Sequence, residues 1–195
     1  MGIRLAMRWL VPLALAALLG GCSLPPLDGR SQSHAMPVAE AQGTALGKAA
    51  ASASVQHPGL TGIHELSDPR EAFAARMQLA QHAQRTLDVQ YYIWRDDTTG
   101  HLLLEALLAA AERGVRVRLL LDDNGIAQLD EELAALDSHP NLEVRLFNPF
   151  VFRAFKPLGF LTDFSRANRR MHNKSFTADN AATIVGGRNI GDEYF

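Results

Sequence analysis

The sequence predicts an α/β fold behind an export signal and a spacer. Three observations carry this expectation. Helical and strand-like segments alternate from about residue 66 onward. A short apolar run follows two early arginines, and a stretch rich in Ala, Gly, Ser, Pro and Gln separates that run from the alternating part. The 195 residues, 47% hydrophobic and 21% charged, suit a folded protein and exclude collagen-like and wholly disordered classes. A net charge of −2 excludes a generally basic nucleic-acid coat. A single Cys excludes an intrachain disulfide and a Cys-based zinc site.

Taken in chain order, Arg4 and Arg8 precede Trp9 to Leu19, an apolar run too short for a bilayer span of about 20 residues. It suits the h-region of a signal peptide. Leu19-Gly20-Gly21-Cys22 resembles the lipobox of bacterial lipoproteins, with Gly20 the less usual residue at its position. That resemblance implies loss of residues 1–21, lipidation of Cys22, and a lipid anchor at the periplasmic face of the cell envelope. Ser23 after the Cys favours the outer membrane. Loss of Arg4 and Arg8 takes the net charge to −4. Residues 22–60 read as a flexible tether with helical stretches near Ala45 to Ala53, because they carry too few bulky apolar residues to offset ordering entropy.

The folded part is expected over residues 61–195. Ser67-Asp68-Pro69 is a helix start, and Phe73, Met77 and Ala80 continue it at helical spacing up to Arg85. Leu87, Val89, Tyr91 and Ile93 alternate with polar residues as in a strand. Thr98-Thr99-Gly100 opens a helix over Leu102 to Arg113, which Gly114 closes. Val115 to Leu121 is a second strand, Leu129 to Leu136 a helix, and Leu142 to Phe147 a third strand. This alternation implies parallel crossovers. Asn148 to Arg170 reads as a loop that carries Phe150, Phe152, Phe155 and Phe160, and β segments follow around Met171 to Phe176 and Ala182 to Val185.

The chemistry lies in the last quarter of the chain. Met171-His172-Asn173-Lys174 continues to Asp179, and six residues later to Gly186-Gly187-Arg188-Asn189. On a strand, His172 and Lys174 share one face and Asn173 turns away. An imidazole is a nucleophile at neutral pH, and an ammonium beside it can hold an anionic phosphate. Gly186 and Gly187 permit close backbone approach, and Asn189 offers an amide donor. The spacing is similar to the signature of the phospholipase D superfamily, H-x-K, four residues, D, six residues, G-(G/S)-x-N. Chance agreement at these positions is about 10⁻⁵ to 10⁻⁴ over the chain. The likeness extends upstream through Leu87 to Trp94, Gly114 to Asp123 and Arg169 to Lys174, which resemble the first lobe of bacterial cardiolipin-synthase-like members.

The resemblance implies a mixed sheet flanked by helices and metal-independent chemistry without a cofactor. His172 would attack phosphorus to form a phosphohistidine. Lys174, Asn189 and Gly187 would hold the phosphate, and Asp179 would orient a His or support the site. The implied activity is phosphatidyl transfer or phospholipid hydrolysis, with a phospholipid membrane as partner. The alternatives are a phosphodiesterase acting on nucleic acid, although no nucleic acid is the expected partner, and a non-catalytic envelope lipoprotein half-domain. Members with this layout carry two H-x-K motifs meeting at one site, and this chain has one. The expectation is therefore a truncated first lobe whose partner lobe follows in the full-length chain, or else a homodimer, and an inactive isolated chain.

Local charge agrees with this reading. Val144 to Ile190 carries a net charge of +6 inside an acidic protein. Phe150, Phe152, Phe155 and Phe160 of the preceding loop suit either acyl-chain contact or core packing. Asp122-Asp123-Asn124-Gly125 closes a strand where α/β proteins place ligands, and reads as a turn or as a site lining. It fails the calcium-loop pattern because Ile126 occupies a ligand position. The other histidines, among them His34, His82 and His101, show no metal-ligand spacing. Tyr91, Tyr92 and Trp94 suit core or site wall.

Overall fold

The computed structural model describes Leu24, Asp28, Gly29 and residues 31–195. The signal-peptide expectation and Cys22 lie outside these residues. Five strands form one sheet, β1 (Thr86–Tyr91), β2 (Arg116–Asp122), β3 (Leu142–Phe147), β4 (Lys174–Ala178) and β5 (Ala182–Val185), in the order β3-β2-β1-β4-β5. β1, β2 and β3 run parallel, while β4 lies antiparallel to β1 and β5 antiparallel to β4. The helices are α1 (Val38–Gly43), α2 (Ala45–Ser54), α3 (Pro69–His82), α4 (Thr98–Glu112), α5 (Asp130–Asp137), α6 (Pro157–Thr162) and α7 (Phe164–Ala167). This is the mixed sheet flanked by helices that the family resemblance implies, with the parallel crossovers that the alternation predicts. Among the described residues, no helix is long and apolar enough to cross a membrane.

Local chemistry sets the boundaries. Asp68 caps α3 by accepting from the backbone N–H groups of Arg70 and Glu71, and Pro69 occupies the first turn. Helix α3 stops at His82, short of the expected Arg85, because the next N–H groups are diverted. Those of Gln84, Arg85 and Thr86 all donate to the buried carboxylate of Asp179. Asp97, one residue before the expected start, caps α4 through Gly100 N–H. Gly114 follows α4 with φ of 91°, a left-handed conformation that favours Gly.

Alternation along the strands sends Leu87, Val89 and Tyr91 of β1, Val117, Leu119 and Leu121 of β2, and Phe176 and Ala178 of β4 into one core. Leu103, Leu107, Ala110, Leu133 and Leu136 from the crossover helices complete it. The opposite face carries Asp88, Arg118, Glu143 and Arg145, where Arg118 pairs with Asp88 at 2.5 Å.

Part of the expected tether is ordered against that sheet. Thr44 caps α2 by accepting from Gly47 N–H, and Ala45 N–H donates to Gln84 Oε1 at 2.7 Å. Met36 is buried, with its carbonyl accepting from Asn180 Nδ2, and Ser31 bonds both Glu143 and Arg145. Alanine-rich sequence has high helix propensity and packs closely, so few bulky side chains were needed.

The loop expected over Asn148 to Arg170 contains a 3₁₀ turn, α6 and α7. The strand expected from Met171 begins instead at Lys174. Its partner β1 ends at Tyr91, which is the residue paired with Lys174, and Met171 N–H is taken by a side chain, that of Asp122.

Asp179 and Asn180 make the β4–β5 turn with positive φ, and Asp179 is fully buried. Asp179→Ala should destabilise the fold by about 3–5 kcal/mol, since several backbone donors lose a charged acceptor at once. Chemical denaturation measures this directly, and Asp179→Asn, which keeps an acceptor, should lose less than half as much.

Candidate active site

The H-x-K segment lies where β4 begins beside the C-terminal end of β1. The register Tyr91↔Lys174 places Lys174 on the helix-covered side of the sheet. The residue is 9% exposed, and Nζ donates to the His172 carbonyl at 3.1 Å. Burial pushes the Lys174 ammonium below its ordinary pKa. Asn173 turns to the opposite face and donates to Gln90 Oε1 at 3.1 Å. His172 lies just outside the strand and is exposed, so a regular strand does not align the two side chains.

Tyr92 brings them together. β1 breaks after Tyr91, and the Tyr92 ring lies edge-on to the His172 imidazole with centroids 4.9 Å apart. The same ring has Lys174 Nζ 5.5 Å from its centroid, a cation–π distance. Its hydroxyl accepts from Asn124 Nδ2 at 3.3 Å. Tyr91 and Trp94 are fully buried core, so of the three aromatics only Tyr92 forms the site wall.

Asn189 reaches the same end of the sheet. Its Oδ1 accepts from Ile93 N–H at 3.2 Å, which orients the amide so that its NH₂ is the end left to donate. Ile190 fixes this arrangement, donating to the Ile93 carbonyl and accepting from Arg95 N–H. Gly186 and Gly187 are exposed, and a Cβ at either would meet nothing within 4 Å. Their expected close approach is therefore not to protein, and the space beside them is open.

Asp179 is not with the others. At about 3.4 Å per residue it sits roughly 17 Å along β4 from Lys174. Its carboxylate is engaged by the N–H groups between α3 and β1, so it supports the fold and does not orient His172.

The carboxylate that holds the backbone leading into His172 is Asp122, which the sequence offers only as part of a turn or lining. Fully buried, it accepts from Met171 N–H at 2.6 Å, Arg170 at 3.0 Å and Asn124 N–H at 2.8 Å. The residue before His172 is thereby fixed. Asp123, also fully buried, accepts from Phe150 N–H at 2.6 Å and pairs with Arg153 and Lys156. Gly125 is required here, because a Cβ would fall 1.7 Å from the Tyr92 carbonyl oxygen. The available signal was two acids and a Gly closing an apolar strand. Among the described residues, no group of three His, Cys, Asp or Glu is disposed to hold a metal ion.

A family model described as "Cardiolipin synthase, PLD-like domain" matches residues 77–195. The chain belongs to this family of phospholipase D-like domains. Over 140 residues it is 67% identical to cardiolipin synthase C of Escherichia coli, covering 72% of this chain and 30% of that protein. Over 132 residues it is 32% identical to the major cardiolipin synthase ClsA of Bacillus subtilis, covering 68% of this chain and 26% of that protein. It thus spans less than a third of these relatives' length. Among solved structures, NucT from Helicobacter pylori matches with a TM-score of 0.47 at 18% identity, covering 65% of this chain and 71% of that one.

Lys174→Met removes a charge that burial disfavours, so the variant should melt at or above the temperature of the unsubstituted chain. Folded Lys174 releases its proton below the ordinary 10.5, so between the two pKa values the unfolded chain holds more protons. Stability of the unsubstituted chain therefore rises with pH through that window. The advantage of Lys174→Met is fullest at neutral pH and narrows toward 10.5. Thermal melts across that range check this, and a variant that melts lower throughout would show that the ammonium supports the fold.

Proposed function

We propose that the chain is the first catalytic lobe of a phosphatidyltransferase that acts on glycerophospholipids through a phosphohistidine, in the manner of a cardiolipin synthase. The observation that carries this reading is the convergence of an exposed imidazole, a buried ammonium and an oriented amide at one end of the sheet, with Tyr92 touching the first two. The 67% identity to cardiolipin synthase C supports the substrate class.

In this mechanism an imidazole nitrogen of His172 attacks phosphorus. A P–N bond forms and the P–O bond to the leaving alcohol breaks. That oxygen takes its proton from a second histidine outside the described residues, in a partner lobe or a second copy. An acceptor hydroxyl then gives its proton to the same group and attacks phosphorus, which restores His172. Lys174 and the Asn189 amide neutralise charge on the non-bridging oxygens, a contribution of about 3–4 kcal/mol per well-placed donor in comparable sites. Hydrolysis follows the same path with water as acceptor.

Full-length protein incubated with phosphorus-labelled phosphatidylglycerol should carry an acid-labile, alkali-stable label on His172. His172→Ala should lose the label and nearly all turnover, and Lys174→Ala should lower turnover by about 10²–10³-fold. Turnover should survive dialysis against a chelator, since Lys174 supplies the positive charge. A strict divalent-ion requirement would refute this mechanism.

The anchoring reading rests on Leu19-Gly20-Gly21-Cys22. Expressed with its signal in a Gram-negative host, the protein should incorporate palmitate and sediment with membranes. Label that persists on Cys22→Ser would reject lipidation there.

A further inference from the structure

The chain between β3 and β4 leaves the sheet beside the site and returns to it. Asn148 and Arg170 close its two ends on each other, through the Asn148 side chain to the Arg166 and Arg169 carbonyls and the Arg170 guanidinium to the Asn148 carbonyl. Inside this excursion the packing runs in one direction. The Arg170 guanidinium lies 4.7 Å over the buried Phe150 ring, Phe150 meets Phe160 at 5.2 Å, and Phe160 meets Phe164 at 6.4 Å. Gly159 admits Phe150 there, since a Cβ would fall 2.7 Å from its ring. The row of rings thus begins at Arg170, which Asp122 holds two residues before His172, and ends at the surface.

At that surface the excursion is apolar. Phe155 is 62% exposed, Leu161 82% and Phe164 61%, and unlike the equally exposed Val55, Leu60 and Ile63 of the N-terminal stretch they sit on a segment anchored beside the site. Its charges are of one sign where they are free. Asp163 is paired with Arg166, whereas the exposed Arg169 side chain has no partner among the described residues. Apolar side chains that protrude beside an unpaired cation match the interface of an anionic bilayer, with acyl chains below and phosphates at the rim.

The geometry points to the excursion over residues 148–170 as a bilayer-docking element. Phe155, Leu161 and Phe164 enter the acyl region of an anionic membrane and Arg169 meets its phosphates, which sets His172 at headgroup height. This rests on the phospholipid reading of the site, and it explains how a site at a strand end reaches a substrate held in a bilayer.

The test uses the full-length chain with Cys22→Ser, so that no acyl anchor contributes to binding. It should co-sediment with vesicles of pure phosphatidylglycerol and bind vesicles of pure phosphatidylcholine more weakly. Each Ser substitution at Phe155, Leu161 or Phe164 should weaken phosphatidylglycerol binding about tenfold, as expected for withdrawal of one large apolar side chain. Melting temperatures should hardly move, because these side chains are exposed. Turnover of a short-chain phosphatidylglycerol in free solution should stay unchanged in the same variants, while turnover of vesicle substrate falls with binding.

Vesicle binding that the three variants leave intact would overturn the docking element. So would protection of Cys residues placed at positions 155 and 164 from a thiol reagent without vesicles, which would show that another part of the full-length protein covers the patch. Failure of the unsubstituted protein to turn over either form of the lipid, with vesicle binding still dependent on these residues, would instead refute the phospholipid reading and leave the docking surface standing.

Discussion

Two adjacent carboxylates at the end of β2 govern the geometry of the site. Asp122 and Asp123 are both fully buried, and a buried charge persists only where it is paired and hydrogen-bonded. Apart from Asn124 N–H, their described partners come from the excursion between β3 and β4. Asp123 takes its beginning through Phe150, Arg153 and Lys156, and Asp122 takes its end through Arg170 and Met171. A segment paired with no strand is thus fixed at both ends by charge. Loss of either carboxylate's partners leaves a buried ion, which typically costs about 3–5 kcal/mol. The backbone leading into His172 is held by the same contacts.

Much of this fold was legible in the sequence, and the misreadings share a physical cause. Helix and strand periodicity located α3, α4, α5 and the three parallel strands, since those signals reflect burial on one face, which the core confirms residue by residue. Boundaries moved where a side chain captured backbone donors from a distance. Asp179 ended α3 across more than ninety positions of sequence, and Asp122 delayed β4. Neither capture leaves a local trace. The N-terminal stretch forms the helix expected near Ala45 to Ala53, while its docking has a related cause. Its composition forbids a core of its own, yet it docks small residues and backbone groups onto a sheet built by the rest of the chain.

The H-x-K spacing was equally legible, but it did not contain the device that assembles the pair. Strand geometry alone would have aligned His172 and Lys174, and β4 begins too late for that. The Tyr92 ring performs the alignment by standing beside both, and Gly125 lets the neighbouring turn pass under the Tyr92 carbonyl. Tyr92 is one of three aromatics in four residues, and only the break of β1 after Tyr91 separates its role from that of the buried Tyr91 and Trp94. Asp179 shows the converse case. Its place in the signature suggests chemistry, whereas its contacts are those of a residue that joins two elements of the fold.

Burial divides the work between the two side chains of the motif. A charge acts over a given distance with more energy where water is excluded, and the same exclusion makes the charge expensive to hold. Lys174 accepts that exclusion, with its ammonium drawn against the His172 carbonyl and the Tyr92 ring and its pKa pushed down. His172 stays exposed, which suits the covalent role proposed for it. On the proposed mechanism, the arrangement sacrifices stability at Lys174, which supplies charge, and leaves His172 open to substrate. The backbone carbonyl between them couples the two, since any movement of His172 away from its place also removes an acceptor from Lys174.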